Sequence, residues 1–162
     1  MTLQDISDKV EINELLARYC HSLDEKDWHS FQAIFLPDAI LDFTAFGGPK
    51  GSPAELQEFF VPILGSLAST QHTVSTVKID LAGNSATARS AAIVPMTGMT
   101  PEGKETTFVS GLWYEDSLER TKDGWKSNHE SKFAVGPQIW PDPHGLRHRC
   151  LCDGNRTDQT GV

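Results

Sequence analysis

Between residues 6 and 23 the apolar side chains Ile12, Leu15, Leu16, Tyr19 and Leu23 recur every three or four positions, which is the stripe of one helix face. Asp24-Glu25-Lys26 breaks that stripe. Asp27 is then placed to cap a second, short helix whose Trp28, Phe31, Ile34 and Phe35 turn inward, with Pro37-Asp38 as its end. Ile40 to Phe46 is rich in β-branched and aromatic residues and stops at Gly47-Gly48-Pro49, which predicts a strand. A third helix starts at Ser52 as N-cap, with Pro53 in its first turn and Glu55 completing a capping box. Leu56, Phe59, Phe60, Ile63 and Leu64 form its apolar side, and Pro62 is expected to kink it.

From Thr70 the periodicity shortens. The segments Thr70–Leu81, Ser85–Met99, Thr106–Arg120 and Trp125–Phe133 read as strands, divided by Gly83-Asn84, Pro101-Glu102-Gly103 and Lys122-Asp123-Gly124. Links that short predict an antiparallel meander. Helices gathered first and strands second predict an α+β domain in which a curved, mostly antiparallel sheet wraps around about three N-terminal helices. The domain is expected over residues 1–135. Residues 136–162, rich in Pro, Gly, Arg and Asp, are expected to form an extended C-terminal arm.

Composition narrows the class. The 162 residues are 38% hydrophobic and 22% charged, which is the balance of a globular chain. No apolar run approaches the roughly 18 residues a membrane helix needs, and Met1-Thr2-Leu3-Gln4-Asp5 does not begin a secretory signal. A cytoplasmic protein with no membrane partner is expected. The formal charge of -8 argues against a nucleic-acid partner, which requires clustered Lys and Arg. Cys20, Cys150 and Cys152 are too few and odd in number for a secreted disulfide framework.

His72, within Thr70-Gln71-His72-Thr73-Val74, is the side chain best suited to proton transfer near neutral pH. A buried histidine bonded to a backbone carbonyl is the competing interpretation. Asp24 lies in a run of four charged residues, Asp24-Glu25-Lys26-Asp27, so charge alone does not single it out. Asp42 alternates with Ile40 and Thr44 and is expected to turn a carboxylate toward a pocket. Asp116 reads as a structural carboxylate, and His129 shares the strand parity of Trp125. His144, His148, Cys150 and Cys152 cluster in the arm, but their spacing matches no closed zinc site, so no metal is expected.

Tyr19, Asp24, Asp27-Trp28, Phe35, Asp38-Ala39, Asp42-Phe43 and Thr70-Gln71-His72 occur in an order and spacing that resembles the SnoaL-like branch of the nuclear transport factor 2-like superfamily. Gly111-Leu112-Trp113-Tyr114-Glu115-Asp116, Arg120 and Asp123-Gly124-Trp125 fit the closing hairpin of that branch. The resemblance covers about residues 5 to 133 and implies a cone-shaped α+β fold. Within the branch the chain is similar to scytalone dehydratases, bile acid 7α-dehydratases and hexachlorocyclohexane dehydrochlorinases. That similarity implies an Asp24–His72 dyad, with Tyr19 as a pocket tyrosine, and chemistry that uses no cofactor. Val94-Pro95-Met96 carries no second histidine, and Phe43 stands where scytalone dehydratase has a tyrosine, so scytalone itself is not the expected substrate.

The resemblance therefore implies a lyase (dehydratase-like) or isomerase acting on a hydrophobic cyclic or polyketide-like small molecule. His72 would be the base, Asp24 would orient its ring, and Tyr19 would donate to developing charge. Trp28, Asp42, Phe43, Phe46, Phe59, Met96, Trp113 and His129 are expected to line the pocket. The alternatives are a non-catalytic binding or assembly subunit, or a cyclase or epoxide hydrolase on the same scaffold. A homo-oligomer, dimer or trimer, is expected from an open sheet face carrying Ile79, Leu81, Ile93 and Val94.

Overall fold

The structure, a computed structural model, describes the backbone of residues 1–134 and the side chains of residues 1–128. The expected arm, with His144, His148, Cys150 and Cys152, lies outside the described residues. Helix α1 runs Leu3–Asp24, α2 Trp28–Ala33 and α3 Pro53–Gly65. The strands are β1 (Phe35–Asp42), β2 (Lys50–Gly51), β3 (Ser69–Thr70), β4 (Thr73–Ala82), β5 (Ser85–Met99), β6 (Glu105–Thr121) and β7 (Gly124–Ala134). Among the described residues no helix is long and apolar enough to cross a membrane.

Local chemistry explains the helix starts. Thr2 accepts from the Asp5 backbone N–H while the Asp5 carboxylate accepts from the Thr2 N–H, so α1 begins earlier than its apolar stripe does. Ser52 and Glu55 make the same reciprocal box at α3, with Pro53 in the first turn. Asp27 accepts from the Ser30 N–H and caps α2.

The sheet is mostly antiparallel, ordered β2-β1-β7-β6-β5-β3, and β4 pairs with another stretch of β5. Among the described residues only β1 against β7 is parallel. The two-residue link between β4 and β5 puts Gly83 at φ 66°, a conformation that glycine adopts without steric cost. On β5 and β6 the alternation is clean: Ala88, Ala92, Val94, Leu112, Tyr114 and Leu118 are buried beneath the helices. Arg89, Ile93, Trp113 and Glu115 take the outer face. Phe31, fully buried, meets Tyr19, Phe35 and Phe60 edge-on or tilted at 5.1–6.1 Å, and burial of such a ring stabilises by about 1.5–3 kcal/mol.

Three local expectations change. Phe35 and Pro37-Asp38 belong to β1 instead of ending α2. The register shift between Phe35 and Ile40 accommodates a proline that has no N–H for the ladder. The expected strand at Ile40–Phe46 ends at Asp42, and Thr44–Phe46 is a 3-10 turn because Asp42 Oδ1 accepts from both the N–H and the hydroxyl of Thr44. Finally, Ile79 and Val94 are buried and Leu81 half-buried under the helices, while Ile93 alone of that group is 57% exposed on the outer face. The four do not form one open patch. Alternation along β5 puts Ala92, not Ile93, on the side of Val94.

Candidate functional site

Helix α1 stops in a defined way. The Lys26 N–H donates to the Leu23 carbonyl at 3.3 Å and the Asp27 N–H to the Ser22 carbonyl at 2.8 Å, with Lys26 at φ 59°. This is a Schellman closure with lysine where glycine is usual. It fixes Asp24 as the last helical residue, at the negative end of the helix dipole, where a carboxylate is disfavoured by about 0.3–1 kcal/mol.

Three donors offset that cost. Asp24 Oδ1 accepts from the Thr70 hydroxyl at 2.9 Å and lies 2.6 Å from His72 Nδ1; Oδ2 accepts from the His72 backbone N–H at 2.7 Å. Burial pushes the Asp24 carboxyl up, but the bonds from the His72 ring and backbone and from Thr70 outweigh it and hold the carboxyl below its ordinary value. Asp24 is therefore a carboxylate at neutral pH.

The chain opens locally to make this contact. β3 and β4 keep one register against β5, with Thr70 opposite Met96 and Thr73 opposite Ile93, yet the expected single strand is interrupted at Gln71-His72. The Gln71 N–H still donates to the Pro95 carbonyl at 3.1 Å, and Pro95 has no N–H with which to reciprocate. The next N–H, that of His72, points away from β5 and donates to Asp24.

The His72 side chain is 10% exposed and that of Asp24 18%. Tyr19 packs edge-on to the imidazole at 6.5 Å between ring centroids and is itself held by Phe31, Phe35 and Tyr114 at 5.7–6.3 Å. On the other side, Asp24 and His72 line a surface cleft of about 350 Å³ between α1 and β4, with Asn13, Ala17, Cys20 and Val77 among its walls. Imidazole and carboxylate in this arrangement can move a proton. Nδ1 is committed to Asp24, and Nε2 is the nitrogen left to exchange a proton with a bound molecule.

The structure thus brings Asp24, His72 and Tyr19 together and disperses several of the expected pocket residues. Trp28 is half-buried, edge-on to Phe31. Phe43 is buried edge-on to Phe60, with Phe59 beside Phe60. Phe46 and Met96 are half-buried against the core. None of these lines the cleft that holds Asp24 and His72.

Asp42 departs furthest from its expected place. Its carboxylate caps the turn through Thr44 and pairs with Lys50 at 3.2 Å. The Thr44 and Lys50 bonds hold the Asp42 carboxyl down at about 2. Trp113 lies on the outer face with the Arg89 guanidinium 4.7 Å above its ring, because it alternates with the inward-facing Leu112 and Tyr114. His129 pairs with Ser117 and Ile40 in the backbone register, and its side chain lies outside the described residues.

Two features escaped sequence reasoning. Thr70 precedes His72 by two positions and supplies the third bond to Asp24; its place in Thr70-Gln71-His72 was the available signal. At the far end of α1, buried Asp8 accepts from Arg120, from Gln4 at 2.9 Å and from the Trp125 indole N–H at 3.3 Å. The Arg120 guanidinium stacks 4.8 Å over Trp125. The Arg120 bond leads in holding the Asp8 carboxyl down to about 2. Nothing in spacing joins residues that far apart in the chain.

Comparison with known proteins agrees with this fold. The profile of the SnoaL-like domain matches residues 4–129. The uncharacterized protein Rv2910c of Mycobacterium tuberculosis is 29% identical over 126 residues, covering 78% of this chain and 84% of that protein. Among solved structures, the Kfla4162 protein of Kribbella flavida superposes with a TM-score of 0.73 at 19% identity, over 81% of this chain and 93% of its own. A candidate dehydratase of the NTF2-like family from Streptomyces avermitilis gives 0.70 at 14% identity, over 80% and 97%. At such identities the likeness establishes the cone fold alone.

Proposed function

The chain belongs to the SnoaL-like domain family, and we propose that it is a cofactor-independent lyase or isomerase in which Asp24 and His72 perform acid–base chemistry on a hydrophobic cyclic or polyketide-like small molecule. The observation that carries this proposal is the 2.6 Å contact between Asp24 Oδ1 and His72 Nδ1. An ionised carboxylate in direct contact with an imidazole, both lining one cleft, is the kind of constellation that clusters at functional sites, and a module used only for assembly has no need of it.

In the proposed step His72 Nε2 removes a proton from a carbon next to a carbonyl. The electron pair moves onto the carbonyl oxygen. Asp24 holds the other ring N–H, fixing the tautomer and balancing the charge on the ring. The imidazolium then returns its proton to a leaving hydroxyl, which departs as water, or to a different carbon, which isomerises the substrate. Tyr19, edge-on to the imidazole, restrains the ring, and its hydroxyl is the candidate donor to the developing oxyanion.

The test is turnover of cyclic ketones and β-hydroxy ketones in deuterium oxide, followed by NMR for proton exchange or loss of water. His72→Gln is expected to lower the rate by about 10² to 10⁴, the usual contribution of general acid–base catalysis. Undiminished turnover in that variant would remove His72 as the base.

A further inference from the structure

Of the bonds that hold the Asp24 carboxylate, two come from a single residue. His72 supplies both its ring, with Nδ1 2.6 Å from Oδ1, and its backbone N–H, 2.7 Å from Oδ2. Those two bonds alone leave Asp24 and His72 free to shift together as one unit. The Thr70 hydroxyl, 2.9 Å from Oδ1, is a donor that does not belong to His72. It reaches the same oxygen that meets the imidazole.

The backbone around Thr70 makes it an anchor. Thr70 lies opposite Met96 and Ser69 opposite Thr97 on β5. The Ala68 N–H donates to the Thr97 carbonyl at 2.8 Å and the Gln71 N–H to the Pro95 carbonyl at 3.1 Å, so the chain on both sides of Thr70 is tied to the sheet. A β-branched side chain on a fixed backbone has a restricted χ1, and its hydroxyl meets Asp24 from a set direction. Helix α1 ends at Asp24 and fixes the carboxylate from the other side.

The contact between Asp24 and the ring does not by itself require this third bond. An ionised carboxylate has about four acceptor positions, so the imidazole has a place on Oδ1 with or without Thr70. The hydroxyl adds direction, and it draws charge from the oxygen that shares the ring proton. Burial opposes the charge on Asp24, the His72 bonds favour it, and the Thr70 bond adds to them. We propose that Thr70 is a positioning residue for the Asp24–His72 pair: its hydroxyl holds Asp24 Oδ1 against His72 Nδ1 from the sheet and keeps the shared proton on the nitrogen. The consequence for turnover rests on the acid–base function proposed above; the positioning is read without substrate.

The experiment is long-range ¹H–¹⁵N NMR of histidine-labelled Thr70→Val, which keeps the shape of threonine and removes the donor, at a pH where the ring is neutral. The wild type should show one tautomer, protonated on Nδ1. In Thr70→Val the two ring ¹⁵N shifts should move toward each other as the second tautomer becomes populated. Thr70→Ser should restore the wild-type pattern, and Ser69→Ala, at the exposed neighbouring position of β3, should keep it. The Asp24 ¹³Cγ titration should move upward in Thr70→Val and return in Thr70→Ser. With a substrate that is turned over, kcat of Thr70→Val should fall about tenfold, the size of one lost hydrogen bond, with KM unchanged. Wild-type ring shifts and Asp24 titration in Thr70→Val would overturn the positioning role. Failure of Thr70→Ser to restore them would overturn it too, because loss of the methyl contact and not of the hydroxyl would then account for the change. A shifted tautomer in Thr70→Val alongside undiminished turnover in His72→Gln supports the positioning and removes the catalytic reading.

Discussion

Asp24→Asn separates the two services that the carboxylate performs for His72. An asparagine of the same shape can keep its oxygen on the His72 backbone N–H, which Asp24 meets at 2.7 Å. Its NH₂ then faces the Thr70 hydroxyl and His72 Nδ1, the partners now at 2.9 and 2.6 Å. All three contacts survive, but the direction of the ring contact reverses: Nδ1 must accept, so the neutral ring carries its proton on Nε2. Bonds to a charged acceptor contribute about 1.5–3 kcal/mol each and neutral ones about 0.5–1.5. Removing a negative charge from the helix C-terminus returns about 0.3–1 kcal/mol. Summed over the three contacts, the net loss is about 2–4 kcal/mol, or roughly 4–16 °C in melting temperature for a domain of this size. Activity should fall far more than stability, because the nitrogen that must take a proton already holds one. The assay is a long-range ¹H–¹⁵N NMR spectrum of histidine-labelled protein at a pH where the ring is neutral. The wild type should show Nδ1 protonated and the variant Nε2. The same tautomer in both proteins would refute the reasoning, whatever happens to the rate.

The Asp8 carboxyl is depressed from 3.8 to about 2, chiefly by Arg120, so its contribution to stability is complete above pH 3.8 and is lost as pH falls toward 2. Asp8→Asn should cost about 2–3 kcal/mol at neutral pH and flatten that acid segment in urea unfolding; an unchanged acid limb would contradict the assignment. Lys26→Gly relieves a lysine held at φ 59° and should raise stability by about 0.5–1 kcal/mol, read as a higher denaturant midpoint with the same slope. Self-association through the outer sheet face, where Ile93 is 57% exposed beside Trp113, predicts a mass above the monomer by light scattering. Ile93→Glu should reduce that mass, and a wild-type monomer at micromolar concentration would end the idea.

Much of the framework could be read from the chain because it is written in local terms. Ser52 to Glu55 caps a helix through bonds spanning three residues, and Gly83-Asn84 closes a hairpin through its own backbone. The apolar stripe from Ile12 to Leu23 declares its buried face by spacing alone. The order of motifs around Asp24 and His72 suggested the dyad, yet neither residue stood out by itself. Their contact depends on where α1 stops, which the left-handed Lys26 decides, and on the His72 backbone N–H, which donates to Asp24.

Other features belong to the tertiary structure alone. Alternation predicts which residues share a face only until a bulge intervenes, and bulges at Ser75/Lys78 and Ser117/Leu118 reset it without a sequence signal as clear as a turn. Trp113 carries the composition of a pocket wall, but pairing with Ala91 sends it outward. Asp8 and Arg120 meet because the sheet curls back over the start of α1. The sequence by itself determined most of the helices, the turns and the meander, since these follow from short-range spacing and side-chain chemistry, while the Asp24–His72 pair was implied only by the resemblance. Only the tertiary structure decided that Asp24 meets His72, because that contact joins the last turn of a helix to a segment 48 residues further along the chain.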